Sequence, residues 1–81
     1  MNTDSLLQLL VEISGTEEPR NNPQLALFES QVLDSIRAVE LIVELEGRFG
    51  VIISPAEFDR QCWSTPAKFV QDVEARIAAL A

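Results

Sequence analysis

The chain has 81 residues, of which 47% are hydrophobic, with one cysteine, no histidine and a net charge of −7. This length and hydrophobic content predict one folded domain over residues 1–81, with no room for a second core. One cysteine without histidine excludes an internal disulfide, a metal site built from the usual zinc ligands and catalysis by a nucleophile–histidine pair. The acidic charge argues against nucleic-acid binding, which needs a basic surface, and favours basic partner proteins.

The sequence shows no targeting or membrane segment. The amino terminus lacks a basic stretch followed by a long apolar run, so no signal peptide is visible. No stretch reaches the roughly 20 apolar residues that span a bilayer. We therefore expect a cytoplasmic, monomeric protein without direct membrane insertion.

The first predicted element is a helix over residues 6–13. Its apolar residues recur at spacings of three and four and share one face, namely Leu6, Leu9, Leu10 and Ile13. Thr3 or Asp4 can cap the start of this helix. Gly15 can end it in the left-handed conformation that glycine tolerates.

The connection to the next helix is long. Residues 16–22 are polar and acidic, and Pro19 and Pro23 block the continuation of a helix there. From Leu25 onward apolar residues return, but they follow no long period. A loop of this length is uncommon in a compact domain unless it is functional or packs on its own. We expect its apolar side chains to lie across the core as the chain approaches Asp34.

The central helix begins at Asp34 and ends at Gly50. Asp34 suits the N-cap, since its carboxylate can accept hydrogen bonds from the first-turn amides. Ser35 then occupies the first helical position, beside the positive end of the helix dipole. A phosphate on its hydroxyl would meet backbone N–H groups there. An ordinary cap has the same sequence, so this dipeptide alone does not identify a site.

Two apolar stripes follow the central helix, at the spacings of helical neighbours. The core stripe consists of Ala38, Leu41, Ile42, Leu45 and Phe49. The second stripe lies about 200° round the helix and consists of Ile36, Val39, Val43 and Gly47. Burying the whole helix would also bury its charged residues, which is costly. We therefore interpret Ile36, Val39 and Val43 as an exposed strip for a partner; the alternative is that a neighbouring loop covers them.

The charged residues of this helix extend the same surface. Glu40 and Glu44 lie beside the strip as carboxylates that a basic partner would meet. Arg37 is unusual on an otherwise acidic face. It is expected either to tune the choice of partner or to pair with Glu40 or Glu44.

Two further helix starts follow the central helix. After the short extended piece 51–53, the run from Ser54 to Glu57 has capping-box spacing with proline at the first helical position. It predicts a short helix that holds Phe58 inward and ends near Arg60.

Thr65 and Pro66 again combine a capping residue with proline at the first helical position, and they begin a last helix. One face of that helix carries its apolar side chains, namely Phe69, Val70, Val73, Ile77 and Leu80. Between the two helices, Trp63 is expected to fill the core and Cys62 to be buried or half-buried, while Lys68 is expected to be a solvated surface charge. The predicted fold is all-α, a four-helix bundle with a short third helix and a long first loop.

Residues 33–59, LDSIRAVELIVELEGRFGVIISPAEFD, resemble the phosphopantetheine-attachment region of acyl and peptidyl carrier proteins. The family pattern is Asp-Ser and a large aliphatic residue, a helix ending in Glu-x-x-Phe-Gly, and a third helix containing proline. The resemblance implies that Ser35 carries 4′-phosphopantetheine, transferred covalently from coenzyme A, with Asp34 beside it. The thiol of this group would hold an acyl group as a thioester, and the protein itself would catalyse nothing.

Within that family, residues 57–69 are similar to the D-alanyl carrier proteins, which show Glu-Phe-Asp-Arg, then Trp, then Thr-Pro-x-Lys. Residues 27–36 also match their approach to the serine. One departure is Gln31, where these proteins usually have glycine, so the turn is expected to differ. The resemblance implies a stand-alone carrier, loaded by an adenylating amino-acid ligase and delivering D-alanine to a membrane-bound acyltransferase for teichoic acid esterification.

The predicted docking surface for the ligase, the acyltransferase and the phosphopantetheinyl transferase consists of Ile36, Arg37, Val39, Glu40, Val43 and Glu44. The cargo stays open, because acyl carriers of fatty-acid or polyketide type and peptidyl carriers of natural-product pathways share these features. Trp63 would fill space inside the bundle, which favours a short aminoacyl cargo. A second alternative is an unmodified helical interaction module in which Ser35 is only a cap residue. A small enzyme fits worst, because no acid–base pair is visible.

Overall fold

The computed structural model describes residues 3–54 and 59–80. Its α-helices are α1 (Thr3–Ser14), α2 (Glu18–Asn21), α3 (Ser35–Phe49) and α4 (Pro66–Leu80), and a 3₁₀ helix spans Arg60–Trp63. The described ranges contain no strand. The predicted all-α, four-helix class is confirmed. Within these ranges no helix is both long and apolar enough to cross a membrane.

The core lies between α1 and the other helices, since α1 packs against α2, α3 and α4. Among the described residues, the main buried cluster draws on α1, α3, α4, the 3₁₀ helix and the connecting segments, and its members are Leu6, Leu9, Leu10, Leu27, Val32, Leu33, Leu41, Ile42, Leu45, Val51, Ile53, Trp63, Phe69 and Val73. The helix α1 ends as predicted at Gly15, whose φ is +74° and whose amide donates to Val11 O across 2.8 Å.

The first connection departs from prediction because it contains the one-turn helix α2. Pro19, interpreted above as blocking a helix, is instead the second residue of α2 and is fully buried. A proline in the first turn costs no hydrogen bond, since amides there lack intrahelical acceptors. The sequence reasoning treated Pro19 as a breaker when it lies at a helix start.

The rest of the connection crosses the core as predicted. Leu27 and Leu33 are 0% and 1% exposed, and Val32 is buried beside them. Backbone hydrogen bonds fix this path: the Leu27 amide donates to Ser64 O and the Leu33 amide to Leu27 O, each across 2.9 Å. The loop is therefore tied to the segment before α4 and reaches Asp34 in a defined position.

The predicted limits and faces of α3 are confirmed. Gly50 ends the helix in the left-handed region, with φ +71°, and its amide donates to Glu46 O across 3.1 Å. The core stripe is buried at Ala38, Leu41, Ile42 and Leu45, with Phe49 half-buried. Because one face of α3 is held in the core, its opposite face lies in solvent.

After α3 the chain alternates between core and solvent, with Val51 and Ile53 buried and Ile52 exposed. The short third helix predicted from Ser54, with Phe58 inward, lies largely outside the described residues. Where the chain is described again, Asp59 Oδ1 accepts the Gln61 amide across 2.9 Å and opens the 3₁₀ helix.

Trp63 fills the core as predicted, with no exposed surface. Its ring meets Phe69 edge-on at 4.9 Å between centroids, and its Nε1 donates to Asp72 Oδ2 across 3.0 Å. Cys62 is exposed, so the expectation of burial is wrong. Neighbouring side chains of a 3₁₀ helix point about 120° apart, and Trp63 takes the inward direction.

The start of α4 is confirmed. Thr65 Oγ1 accepts the Lys68 amide across 3.2 Å, and Pro66 is the first helical residue. Lys68 is exposed, as predicted. The apolar face begins with buried Phe69 and runs past the core, because Leu80 at the far end is 60% exposed.

Candidate functional site

The first residue of α3 is Ser35, and its position follows from the cap that precedes it. Asp34 is extended, with φ −133° and ψ −175°, and its Oδ1 accepts the Arg37 amide across 2.8 Å. The Asp34 carbonyl accepts the Ala38 amide across 2.9 Å. Both Asp34 and Ser35 are exposed. The predicted N-cap is therefore confirmed, and the serine lies at the solvent-facing, positive end of the helix dipole.

A hollow of about 360 Å³ opens beside this serine, the Ser35 hollow. The connecting loop forms one wall and the first turn of α3 the other, and the lining residues are Phe28, Gln31, Leu33, Asp34, Ser35 and Arg37. Because Leu33 is held by its hydrogen bond to Leu27 O, the loop wall is fixed. An elongated polar group attached to the serine can leave along this hollow.

Arg37 lies half-buried at the back of the site. Its Nη1 donates to Ser14 O across 3.1 Å and lies 3.4 Å from Val32 O. Of the two alternatives for Arg37, pairing with Glu40 or Glu44 is wrong, because the guanidinium turns inward and Glu44 instead lies 3.6 Å from Arg48 Nη2. Sequence reasoning missed this role because the partners are backbone oxygens, one of them 23 residues away.

Gln31 forms the turn at the edge of the Ser35 hollow. Its φ is +65°, and its amide donates to Phe28 O across 3.2 Å. A side chain with Cβ in this left-handed region costs about 1–2 kcal/mol. Gln31 therefore takes a backbone conformation that glycine adopts without strain.

The apolar strip of α3 faces solvent. Ile36, Val39 and Val43 are 71%, 46% and 61% exposed, so within the described residues no loop covers them and that alternative is wrong. Glu40 is exposed and Glu44 half-buried beside them. A shallow hollow of about 390 Å³ continues the strip from Val39 and Val43 to Ile13 on α1. Together these side chains form an apolar surface edged by carboxylates.

The described residues contain no group of three His, Cys, Asp or Glu side chains that could hold a metal ion. The arrangement around Ser35 instead suits attachment of a group from outside. An exposed serine, a capped helix start and an adjoining polar hollow fit a phosphodiester carrying a long arm. The residues present therefore fit 4′-phosphopantetheine.

Comparison with known proteins also supports a phosphopantetheine-attachment site. A family model described as "Phosphopantetheine attachment site" matches residues 4–73. A D-alanyl carrier protein of Enterococcus faecalis is 43% identical over 72 residues, covering 89% of this chain and 92% of the relative. Relatives of the same description are 41% identical in Lactococcus lactis subsp. cremoris (90% and 92% covered) and 39% identical in Lacticaseibacillus casei (88% and 88%). The chain therefore belongs to the phosphopantetheine-attachment family and, within it, to the D-alanyl carrier proteins, which carry acyl groups and do not catalyse reactions.

Proposed function

We propose that the protein carries a D-alanyl group as a thioester on 4′-phosphopantetheine attached to Ser35 Oγ. The observation that carries this proposal is the exposed serine at the first position of α3, within a family match that spans residues 4–73. The terminal thiol of the prosthetic group holds the acyl group. The side chains of the protein hold and present that group.

For attachment of the phosphopantetheine, the chain only has to present the Ser35 hydroxyl to the transferase. Ser35 Oγ loses its proton to a base of the transferase and bonds to the phosphorus atom that carries the pantetheine in coenzyme A. The pyrophosphate bond breaks, and adenosine 3′,5′-bisphosphate leaves. Asp34 fixes the first turn of α3, so the oxygen is presented from a rigid helix end, which reduces the entropy lost in reaching the reactive geometry.

The strip on α3 suits the partners that this function needs. A phosphopantetheinyl transferase, an adenylating amino-acid ligase and a membrane-bound acyltransferase must each approach Ser35 in turn. The proposed docking surface consists of Ile36, Val39, Glu40, Val43 and Glu44, and Arg37, also predicted to belong to it, supports this surface from behind because its guanidinium turns inward to Ser14 O. Exposed apolar side chains supply contact area, and the net charge of −7 attracts basic surfaces. Because attachment consumes coenzyme A and loading consumes ATP, we propose that the protein acts in the cytoplasm.

The nature of the cargo follows from Trp63 as well as from the relatives. A long fatty acyl chain needs space inside the bundle, and Trp63 and Phe69, both 0% exposed, occupy the centre of it. This packing favours a short aminoacyl group over a fatty-acid or polyketide chain. The relatives are named D-alanyl carriers, which favours D-alanine over the amino acids of peptidyl carriers.

Intact mass spectrometry tests the attachment. The protein is incubated with coenzyme A, Mg²⁺ and a promiscuous phosphopantetheinyl transferase, and Ser35→Ala serves as the control. We expect the wild type to gain the mass of one phosphopantetheine group and the variant to gain none. An unchanged wild-type mass would refute the proposal in favour of an unmodified interaction module. The modified protein is then offered a panel of amino acids and ligases, where loading by fatty-acyl ligases alone would refute the aminoacyl cargo.

A further inference from the structure

A second hollow, of about 300 Å³, lies on the loop side of the attachment site, and we call it the Glu29 hollow. Among the described residues its lining is Ala26, Phe28, Glu29, Gln61, Ser64 and Thr65. Phe28 also lines the Ser35 hollow, so this one residue borders both hollows. A flexible arm anchored at Ser35 can therefore pass along Phe28 into the Glu29 hollow.

Backbone hydrogen bonds fix the two sides of the Glu29 hollow relative to each other. The Leu27 amide donates to Ser64 O across 2.9 Å, and the Ala67 amide donates to Pro23 O across 3.1 Å. The Ser30 amide donates to Ala26 O across 2.9 Å, which closes the turn that carries Glu29. The hollow is thus formed by the fold itself, and little ordering is lost when a group enters it.

The lining of the Glu29 hollow combines apolar residues with polar and acidic ones. Its described lining combines the apolar residues Ala26 and Phe28 with the polar residues Gln61, Ser64 and Thr65. Among the described lining residues Glu29 is the acidic one, and none is basic. The α-amino group of an aminoacyl thioester is largely protonated at neutral pH, so it complements this carboxylate.

We propose that the Glu29 hollow receives the aminoacyl end of the protein's own phosphopantetheine arm, with Glu29 facing the α-ammonium group. The inference rests on the proposed attachment at Ser35. It gives the protein a means to distinguish a charged aminoacyl arm from an empty or fatty acyl arm. The pairing is between partly exposed groups, so the effect is modest, about two- to five-fold in the ratio of docked to undocked arm.

The test compares two arms that differ only in the amino group. Amide analogues of D-alanyl- and propionyl-coenzyme A, with nitrogen in place of the thioester sulfur, are attached to Ser35 by the transferase. Chemical shifts of the Ala26, Glu29, Gln61 and Ser64 amides are then recorded for both products. We expect the D-alanyl arm to displace these signals and the propionyl arm to displace them less.

Glu29→Gln removes the charge and keeps the size of the side chain, and it should bring the D-alanyl spectrum close to the propionyl spectrum. Glu18→Gln, which neutralises an exposed carboxylate on α2, is the matched control and should leave the difference intact. High salt should also reduce the difference, because exposed ion pairs are screened.

Identical displacements by the two arms on the wild-type protein would overturn the inference, and this comparison does not require any variant to fold. Wild-type displacements that persist in Glu29→Gln would overturn the role of Glu29. Both results presuppose protein whose mass shows the attached arm. A protein that gains no mass at all refutes the proposed function instead, so the two failures are distinguishable.

Discussion

The guanidinium of Arg37 donates a hydrogen bond to the backbone oxygen of Ser14 across 3.1 Å. Ser14 is the last residue of α1, and Arg37 lies in the first turn of α3. A cation beside the carbonyl end of a helix is also favoured by the helix dipole. With Val32 O at 3.4 Å, this one side chain joins two helices and the end of the loop directly behind Ser35.

Replacing Arg37 by methionine should therefore destabilise the fold. The apolar stem is kept, but the charged hydrogen bonds to two backbone oxygens are lost, which predicts a decrease of about 1–2 kcal/mol in the free energy of unfolding. Urea denaturation followed by circular dichroism measures this change.

Arg48→Met is the matched control for that experiment. Arg48 pairs with Glu12 and Glu44 through a side chain that is 46% exposed, and ion pairs at such positions contribute about 0.2–1 kcal/mol. An Arg37 variant no less stable than the Arg48 variant would show that the inward hydrogen bonds of Arg37 contribute little.

The N-cap at Asp34 contributes to the stability of the fold independently of the Arg37 guanidinium. Asp34→Ala removes the acceptor of the Arg37 amide and should lower the free energy of unfolding by about 1 kcal/mol. Asp34→Asn keeps a capping oxygen and should stay within a few tenths of the wild type. Thermal unfolding of both variants measures the effect. If Asn were as damaging as Ala, the carboxylate charge rather than the capping oxygen would be the stabilising feature.

The features that could be predicted from the sequence depend on local rules. The limits of α3 follow from an N-cap at Asp34, a left-handed glycine at Gly50 and apolar spacing between them, all of which act within a few residues. The exposure of Ile36 and Val43 follows from the same spacing. These local rules predict α3 correctly because the tertiary contacts of the helix favour the same limits and the same buried face.

The features that were missed depend on contacts between distant parts of the chain. Nothing near Arg37 in sequence indicates that Ser14 O lies within its reach. The helix α2 was missed for a different reason, since Pro19 predicts a helix start as readily as a break when the surrounding fold is unknown. The expectation that Cys62 is buried or half-buried rests on how often cysteine lies inside proteins, whereas the adjacent Trp63 takes the inward position.

The strip on α3 gives a prediction about docking. Val43 is 61% exposed, so Val43→Asp should change the free energy of unfolding by no more than about 0.5 kcal/mol. If the strip contacts the ligase, the same variant should be loaded about tenfold less efficiently, since a charge at the centre of an interface is poorly tolerated. Steady-state loading rates of the modified protein measure this.

Leu80→Asp is the matched control for the docking experiment, because Leu80 is 60% exposed but lies at the end of α4. It should be loaded at the wild-type rate. Equal losses in both variants would show that added charge alone, and not position on the strip, reduces loading.

The turn at Gln31 predicts a variant that is more stable than the wild type. Its φ of +65° costs a residue with Cβ about 1–2 kcal/mol, and glycine avoids this strain but gives up about 0.4–1 kcal/mol through the greater freedom of the unfolded chain. Gln31→Gly should therefore raise the free energy of unfolding by about 0.5–1 kcal/mol, measured by urea denaturation. Gln24→Gly, in the same connection but without a positive φ, should lower it instead. A Gln31 variant that loses as much stability as the Gln24 variant would show that the left-handed turn is not strained.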